Sequence, residues 1–215
     1  GKHTLLVVED GSTDGTGRAV RDFIKLRSDD LVKCCSHVHN LGFGAATITG
    51  INYAVSESFD YVLFMDSDLT NHPRYLADFW EKIDQGYDYI KATRYSSGGG
   101  VCGVPWKRRL VSWAGNMLAR QAFGLPISDV TNGFRAVKVD LCRRMTLRES
   151  GFPIIMEELC EAKKYTKRFC EVPYLLTSRR SEARQSSFPY RWSTYKAYLL
   201  YVFKALNVTL MPGRI

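Results

Sequence analysis

Three times within the first 92 residues, a short apolar run ends in a cluster of turn formers and is followed by residues at helical spacing. That repetition restricts the fold more than any other feature, because it alternates the period of a strand with the period of a helix. Thr4 to Val8 (TLLVV) stops at EDGSTDGT, and a helix is predicted over Gly17 to Leu26, where Ala19, Val20, Phe23 and Ile24 share a face. Val32 to Val38 predicts a strand, NLGFGAA a glycine-rich turn, and Ala45 to Ser56 a helix. Tyr61 to Met65 predicts the next strand, ending in DSDLTNHP, with a helix over Tyr75 to Ile83 and a strand over Tyr87 to Ala92. Strand–turn–helix units in series imply an α/β fold with a mostly parallel central sheet flanked by helices. Ligands of such sheets bind beyond the carboxyl ends of the strands. Both acidic turns, Glu9-Asp10 and Asp66-Ser67-Asp68, follow strands and belong to that edge.

Further along, residues 95–104 (YSSGGGVCGV) hold four glycines and predict a mobile loop. Lys107 to Phe123 predicts a helix with a basic start, Asp129 to Arg135 (DVTNGFR) a turn, residues 157–168 a charged surface helix, and Glu171 to Thr177 a last strand. The segment FPYRWSTYKAYLLYVFKAL mixes Trp192 and tyrosines with Arg191, Lys196 and Lys204. It suits an amphipathic interfacial helix, its aromatic rings at headgroup level and its cations on anionic lipid; a helix packed on the domain is the alternative. The chain thus divides into a domain over residues 1–188 and a tail over 189–215.

A hydrophobic share of 45% and a charged share of 24% belong to the ordinary globular class. The net charge of +8 suits phosphorylated small substrates, an anionic membrane surface or nucleic acid. No nucleic-acid recognition module or repeated aromatic–basic groove is present, which disfavours the last. Six cysteines with no CxxC pair read as reduced thiols, mostly core filler in a cytosolic compartment. The chain does not open on a signal peptide, and no run reaches the roughly 18 apolar residues of a membrane span.

The candidate chemistry begins with Asp66 and Asp68. Two carboxylates one residue apart, expected to be buried at a strand end, can hold Mg²⁺ or Mn²⁺ and leave the remaining positions to water and substrate phosphates. The same residues, with Thr70 or Asn71, could equally form an Asx turn or cap the helix near Pro73. Asp10 could accept from a nucleobase or ribose, or simply shape a polar turn. NLGFGAA could cradle a phosphate at a helix N-terminus, or make a tight connection. Neither GxxxxGK[ST] nor GxGxxG occurs. Arg94, the Lys107-Arg108-Arg109 run and the Arg179-Arg180-Arg184 group lie near predicted strand ends and suit a substrate with several phosphates. Arg143, Arg144, Lys163 and Lys164 read as solvated charge.

Taken in order, EDGSTDGT, NLGFGAA, MDSDL with Pro73, ATRY, GGG, KRRLVS, DVTNGFRA and EVPYLLTSRR resemble the family 2 glycosyltransferases of GT-A fold, and within them the dolichol- or polyprenyl-phosphate sugar synthases. The resemblance runs from about Thr4 to about Phe188. It implies a nucleotide-sugar donor (UDP- or GDP-linked), a divalent metal, and inverting transfer of a hexose to a polyprenyl or dolichyl phosphate at the cytoplasmic face of a membrane. It assigns Asp66 and Asp68, with Ser67 between them, to metal and donor diphosphate, and Asp10, with Gly11 and Ser12, to the base or ribose. Arg94 and Arg108 match phosphate-gripping arginines, Arg179 and Arg180 the acceptor-phosphate position, and Glu157 a glutamate of the family. Because a phosphate acceptor is already an anion, no strong general base is required.

Three positions depart from the pattern. Thr70 stands where the family often has Gln; RRSEARQSSF differs in spacing from the usual acceptor motif; and the family's first strand and its P-x-x-N-E segment have no counterpart before Gly1. That strand would lie inside the sheet, so its lack would leave two strand edges open, and about 30 residues are expected to be missing from this sequence. Two alternatives stay open. One is a relative that glycosylates a sugar hydroxyl, with Asp129 or Glu157 as base, and the other a non-catalytic nucleotide-sugar-binding subunit. The tail could also serve a homo-oligomer.

Overall fold

A computed structural model of the chain describes residues 3–27, 30–68, 70–177 and 192–210. The elements run β1 (Leu5–Glu9), α1 (Thr16–Leu26), β2 (Val32–Ser36), α2 (Phe43–Ser56), β3 (Tyr61–Phe64), α3 (Leu76–Asp84), β4 (Tyr89–Thr93) and β5 (Gly100–Val101). They continue with α4 (Trp106–Phe123), β6 (Arg135–Lys138), α5 (Val139–Cys142), α6 (Ile154–Ala162), β7 (Phe169–Pro173), β8 (Leu175–Leu176) and α7 (Trp192–Leu210). A short 3₁₀ turn at Pro73–Tyr75 leads into α3, with His72 as its cap.

The central sheet has the order β3-β6-β4-β7. β4 and β7 are parallel, and β6 runs antiparallel to both β3 and β4, so three strands share one direction. β1 and β2 form a separate parallel pair, and α2 packs against both β1 and β3. Among the described residues no strand pairs with the remaining edge of β1 or of β3.

β4 shows why the sheet is the core. Side chains alternate across a strand, and here both faces are covered, so all five residues of YIKAT are buried. Tyr89 faces a cluster with Val137 of β6 and with Phe123, Met156, Leu159 and Tyr201, contributed by α4, α6 and α7. Ile90 and Ala92 face the opposite cluster, with Phe79 of α3, Phe134, Val172 and Tyr174. The result is a helix–sheet–helix sandwich.

Several expectations are corrected. DVTNGFR is a turn only as far as Phe134; Arg135 opens a strand in the middle of the sheet. A four-residue strand that starts with an arginine carries no apolar alternation to announce it. The helix expected on the surface over residues 157–168 is instead α6, whose Ile154, Ile155, Met156, Glu157, Glu158, Leu159 and Ala162 are all buried. The glycine-rich loop contains β5, tied to β8 by Gly100 opposite Leu175. Of the six free cysteines, Cys142 is buried in the core and Cys160 and Cys170 pack against it, so half of them fill the core. Lys163 is not simply solvated: its Nζ donates to the carbonyls of Phe123 and Ala205, joining α4 to α7.

The buried charges have partners. Arg135 Nε and Nη2 donate to Glu158 Oε1 and Oε2, each at 2.6 Å, and both side chains are 0% exposed. Tyr89 donates to the same carboxylate at 2.6 Å, and the Arg135 guanidinium lies 4.2 Å from the Phe64 ring centre. Burial alone would raise the Glu158 carboxyl, but Arg135 outweighs it and holds the group below its ordinary range.

Lys91, also fully buried, donates to the Asn132 carbonyl at 2.5 Å. Burial first, and the nearby Arg135 second, push its ammonium down to about 7. The folded pKa therefore lies below the unfolded one, so the native state holds fewer protons between those values and stability rises with pH across that window. Lys91→Met removes this slope. In urea unfolding, the parent should gain about 2 kcal/mol on the variant between roughly pH 7 and 9. Parallel pH dependences of the two proteins would contradict the assignment.

Candidate active site

The carboxyl ends of β1, β3 and β4 carry the polar turns. At β1, Gly11 has φ 68° and its missing Cβ faces the His39 carbonyl carbon at 2.3 Å, a position that excludes any side chain. That close approach lets Asp10 Oδ1 accept from Leu41 N (2.9 Å) and pair with His37 Nδ1 (2.7 Å), while Oδ2 accepts from Gly42 N (2.9 Å). Burial works against the Asp10 carboxylate, yet these hydrogen bonds hold its pKa low. Asp10 thus clamps the EDGSTDGT turn to the NLGFGAA turn. Ser12 is exposed beside it, and its N–H donates to buried Glu9.

The N-terminus of α2 is already occupied. Gly44 N and Ala45 N donate to the Ser150 carbonyl at 2.7 and 3.2 Å, and Phe43 stacks on Phe152 with ring centres 4.8 Å apart. NLGFGAA is therefore a tight connection against residues 149–152, not a phosphate cradle. Glu157 holds the same segment, its Oε2 accepting from Arg148 N (2.8 Å) and Glu149 N (2.9 Å).

Beyond β3 the expected burial of the aspartates is reversed. Asp66 and Ser67 are exposed and Asp68 is half-buried, because the chain leaves the sheet at Phe64 before reaching them. Asp68 Oδ1 accepts from Thr70 N (3.0 Å) and Thr70 Oγ1 (2.7 Å), and Asp66 Oδ2 accepts from Asn71 Nδ2 (3.2 Å). The Asx turn and the acidic turn are thus the same feature. Each ionised carboxylate has about four lone-pair positions, so these bonds do not exclude a cation. Mg²⁺ and Mn²⁺ take oxygen ligands and are commonly held by one or two carboxylates with water and phosphate oxygens. Asp66 and Asp68 fit that demand. Among the described residues, no group of three or more His, Cys, Asp or Glu offers a closed cage.

Beyond β4, Arg94 is gripped by Asp129: Nε to Oδ2 at 2.6 Å, Nη2 to Oδ1 at 2.7 Å, and the backbone N to Oδ2 at 3.1 Å. Burial opposes the Arg94 charge, and the Asp129 carboxylate more than restores it. Asp129 begins a turn whose far end, Gly133, has its missing Cβ 4.0 Å from Asp66 Oδ2. One five-residue turn therefore spans from the arginine to the aspartates. Asn132 anchors it midway, donating to the Ala92 carbonyl at 2.8 Å. Tyr174 lies beneath: burial raises its hydroxyl far above the ordinary value, and Arg94, Asp129 and Asp66 all act on it.

Arg94 also borders a cavity of about 670 Å³ that runs between Tyr95 and the α4 residues Trp106, Arg109, Leu110 and Trp113. Ser96 lines it too, and its Oγ is a buried hydroxyl with no hydrogen-bond partner among the described residues. Within the Lys107-Arg108-Arg109 run the family resemblance singles out Arg108, whereas Arg109 is the one that lines the cavity. The available signal was helical spacing, since Trp106, Arg109, Leu110 and Trp113 fall at i, i+3, i+4 and i+7. Arg108 sits on α4 with its side chain outside the described residues, as are Arg179 and Arg180 altogether. The β5–β8 pairing brings the chain to residue 177 beside the glycine loop that follows Arg94.

The Glycosyl transferase family 2 profile matches residues 2–146. The chain is 33% identical over 143 residues to the polyprenol monophosphomannose synthase of Mycolicibacterium smegmatis, covering 66% of this chain and 54% of that protein. It is 29% identical over 180 residues to the undecaprenyl-phosphate mannosyltransferase of Micrococcus luteus, covering 81% and 72% respectively. The chain thus spans about half the length of the first of these relatives. Glucosyl-3-phosphoglycerate synthase from Mycobacterium tuberculosis, solved with Mn²⁺, uridine-diphosphate and glucosyl-3-phosphoglycerate, superposes with a TM-score of 0.62 at 19% identity, over 98% of this chain and 70% of that one. Its complex with Mg²⁺ and uridine-diphosphate gives 0.61 at 20% identity, over 97% and 69%. At that identity the likeness establishes the fold, GT-A. The matched profile covers most of the chain, and the protein belongs to Glycosyl transferase family 2.

Proposed function

We propose that the protein transfers a hexose from a UDP- or GDP-sugar to a polyprenyl phosphate with inversion at the anomeric carbon. The observation that carries this reading is the turn from Asp129 to Gly133. It joins the Asp66–Asp68 turn beyond β3 to an arginine at the rim of a cavity that is basic and aromatic at once. A diphosphate donor suits the first end, and an acceptor with an anionic head and an apolar chain suits the second. The relatives' names favour mannose as the sugar.

A bound Mg²⁺ or Mn²⁺ on Asp66 and Asp68 would supply positive charge to the donor diphosphate. The protein's own residues do the rest. Asp10 holds two turns together as the floor for the nucleotide, with Gly11 and Ser12 on that floor. Arg94, kept in one rotamer by Asp129, and Arg109 across the cavity orient the acceptor phosphate, with Arg108, Arg179 and Arg180 as further contacts. An oxygen of that phosphate bonds to the anomeric carbon as the bond from this carbon to the diphosphate breaks. The nucleoside diphosphate leaves with the electron pair, and no proton has to move.

This fits the way the carboxylates are committed. Fully buried Asp129 accepts three hydrogen bonds from Arg94, and buried Glu157 accepts two from backbone N–H groups, which favours a structural part for both over that of a general base for a sugar hydroxyl. Glu157 acts on this reading as a positioning residue for the loop against α2. No helix among the described residues is long and apolar enough to cross a membrane, and the reading has the protein work at the cytoplasmic face of a bilayer through α7.

Two experiments test the proposal. With labelled GDP-mannose or UDP-glucose, polyprenyl phosphate and Mg²⁺ or Mn²⁺, label should enter the lipid phase. EDTA or Asp68→Ala should lower the rate at least about 100-fold; metal-independent transfer would contradict the site. Asp129→Asn should lower kcat/KM about 10- to 100-fold through a loosened Arg94, leaving the shape of the pH–rate profile unchanged. Loss of its acidic limb would make Asp129 a base and the acceptor a hydroxyl.

A further inference from the structure

Exposed large apolar side chains are scattered singly over most proteins and need no account. Among the described residues, ten of the twenty-one lie on two helices. On α4, Trp106, Leu110, Val111, Trp113 and Leu118 are 47–69% exposed. On α7, Tyr195, Leu199, Leu200, Phe203 and Leu206 are 38–61% exposed. At about 100° per residue, each set falls on one half of its helix. The opposite halves, Ala119, Ala122 and Phe123 of α4 and Tyr201, Val202 and Ala205 of α7, enter the same core cluster. The two helices pack side by side, and Lys163 ties their backbones together. Facing inward to one core, they face outward in one direction.

The charge of this face is one-sided. Neither helix contains an aspartate or a glutamate, while α4 carries Lys107, Arg108, Arg109 and Arg120 and α7 carries Lys196 and Lys204. An apolar surface laced only with cations matches a sheet of anionic headgroups over acyl chains. A protein partner would need a shaped counterpart with its own carboxylates; a bilayer needs neither register nor fixed geometry.

We propose that α4 and α7 together form one docking face for an anionic lipid bilayer, and that the Trp106–Leu110–Trp113 wall opens the cavity onto the membrane surface. Sequence reasoning gave the membrane to the tail alone; α4 doubles the contact and links it to the site. Trp106, Leu110 and Trp113 belong both to the outward face and to the cavity. An acceptor could keep its apolar chain in lipid and raise its phosphate to Arg109 and Arg94. This last step rests on the proposed lipid-phosphate acceptor, whereas the docking face does not.

The test is flotation of the full chain with vesicles of phosphatidylcholine alone or mixed with phosphatidylglycerol, and with no polyprenyl phosphate present. Binding should favour the anionic vesicles. Val111→Glu/Leu118→Glu on α4, neither of which lines the cavity, and Leu200→Glu/Phe203→Glu on α7 should each weaken it at least about tenfold. Thermal denaturation would verify that both variants remain folded. Wild-type binding by the α4 variant, with loss only in the α7 variant, would overturn the two-helix face. So would no preference for anionic vesicles, or unchanged vesicle binding with an altered sedimentation velocity, which would make the face a contact between copies. Transfer to a short-chain acceptor in detergent separates the two readings. The α4 variant should retain it, while vesicle binding by a parent that transfers nothing would sink the acceptor and leave the docking face standing.

Discussion

A salt bridge with no access to water sits under the whole arrangement. Removing two charges from solvent costs several kcal/mol per ion, and only good geometry with every donor engaged offsets it. Arg135 and Glu158 meet that condition through a bidentate contact, a third bond from Tyr89, and the Arg135 Nη1 bond to the Gly133 carbonyl at 2.8 Å. The last of these fixes the turn before β6. Once Gly133 is held, Asn132 can bond Ala92 and receive Lys91, and Asp129 can reach Arg94. The buried pair thereby helps hold the turn that spans from Arg94 to Asp66.

Much of this was legible in the sequence. The three strand–turn–helix units appear nearly where periodicity puts them, and the strands before Asp66 and Arg94 end where those residues are needed. What stayed hidden depends on partners far away along the chain. Arg135 looks like the end of a polar turn until Glu158, 23 residues on, is packed against it. EELCEAKK looks like a surface helix because nothing local says that its first two glutamates are clamped, one by an arginine and one by backbone N–H groups. NLGFGAA was ambiguous between cradle and connection because the carbonyl that fills its helix end comes from Ser150.

The carboxylates divide into two populations. Asp10, Asp129, Glu157 and Glu158 turn inward and hold backbone or guanidinium groups, so their charge is spent on shape. Asp66 is exposed and Asp68 half-buried, in a chain of net charge +8. These two lie at the carboxyl end of β3, and the surrounding field of a basic protein attracts phosphates.

The strand order also dictates a sequence of events during synthesis. β3 and β4 are neighbours in the chain but not in the sheet, since β6 lies between them. Both must wait for residues 135–138 to leave the ribosome before they can pair, and β4 waits longer still for β7. Non-local pairing of this kind is slow, and the waiting strands are apolar. α4, which carries one wall of the cavity, is made during that interval. The nascent chain thus presents the exposed apolar side chains of α4 before the sheet that will support this helix exists.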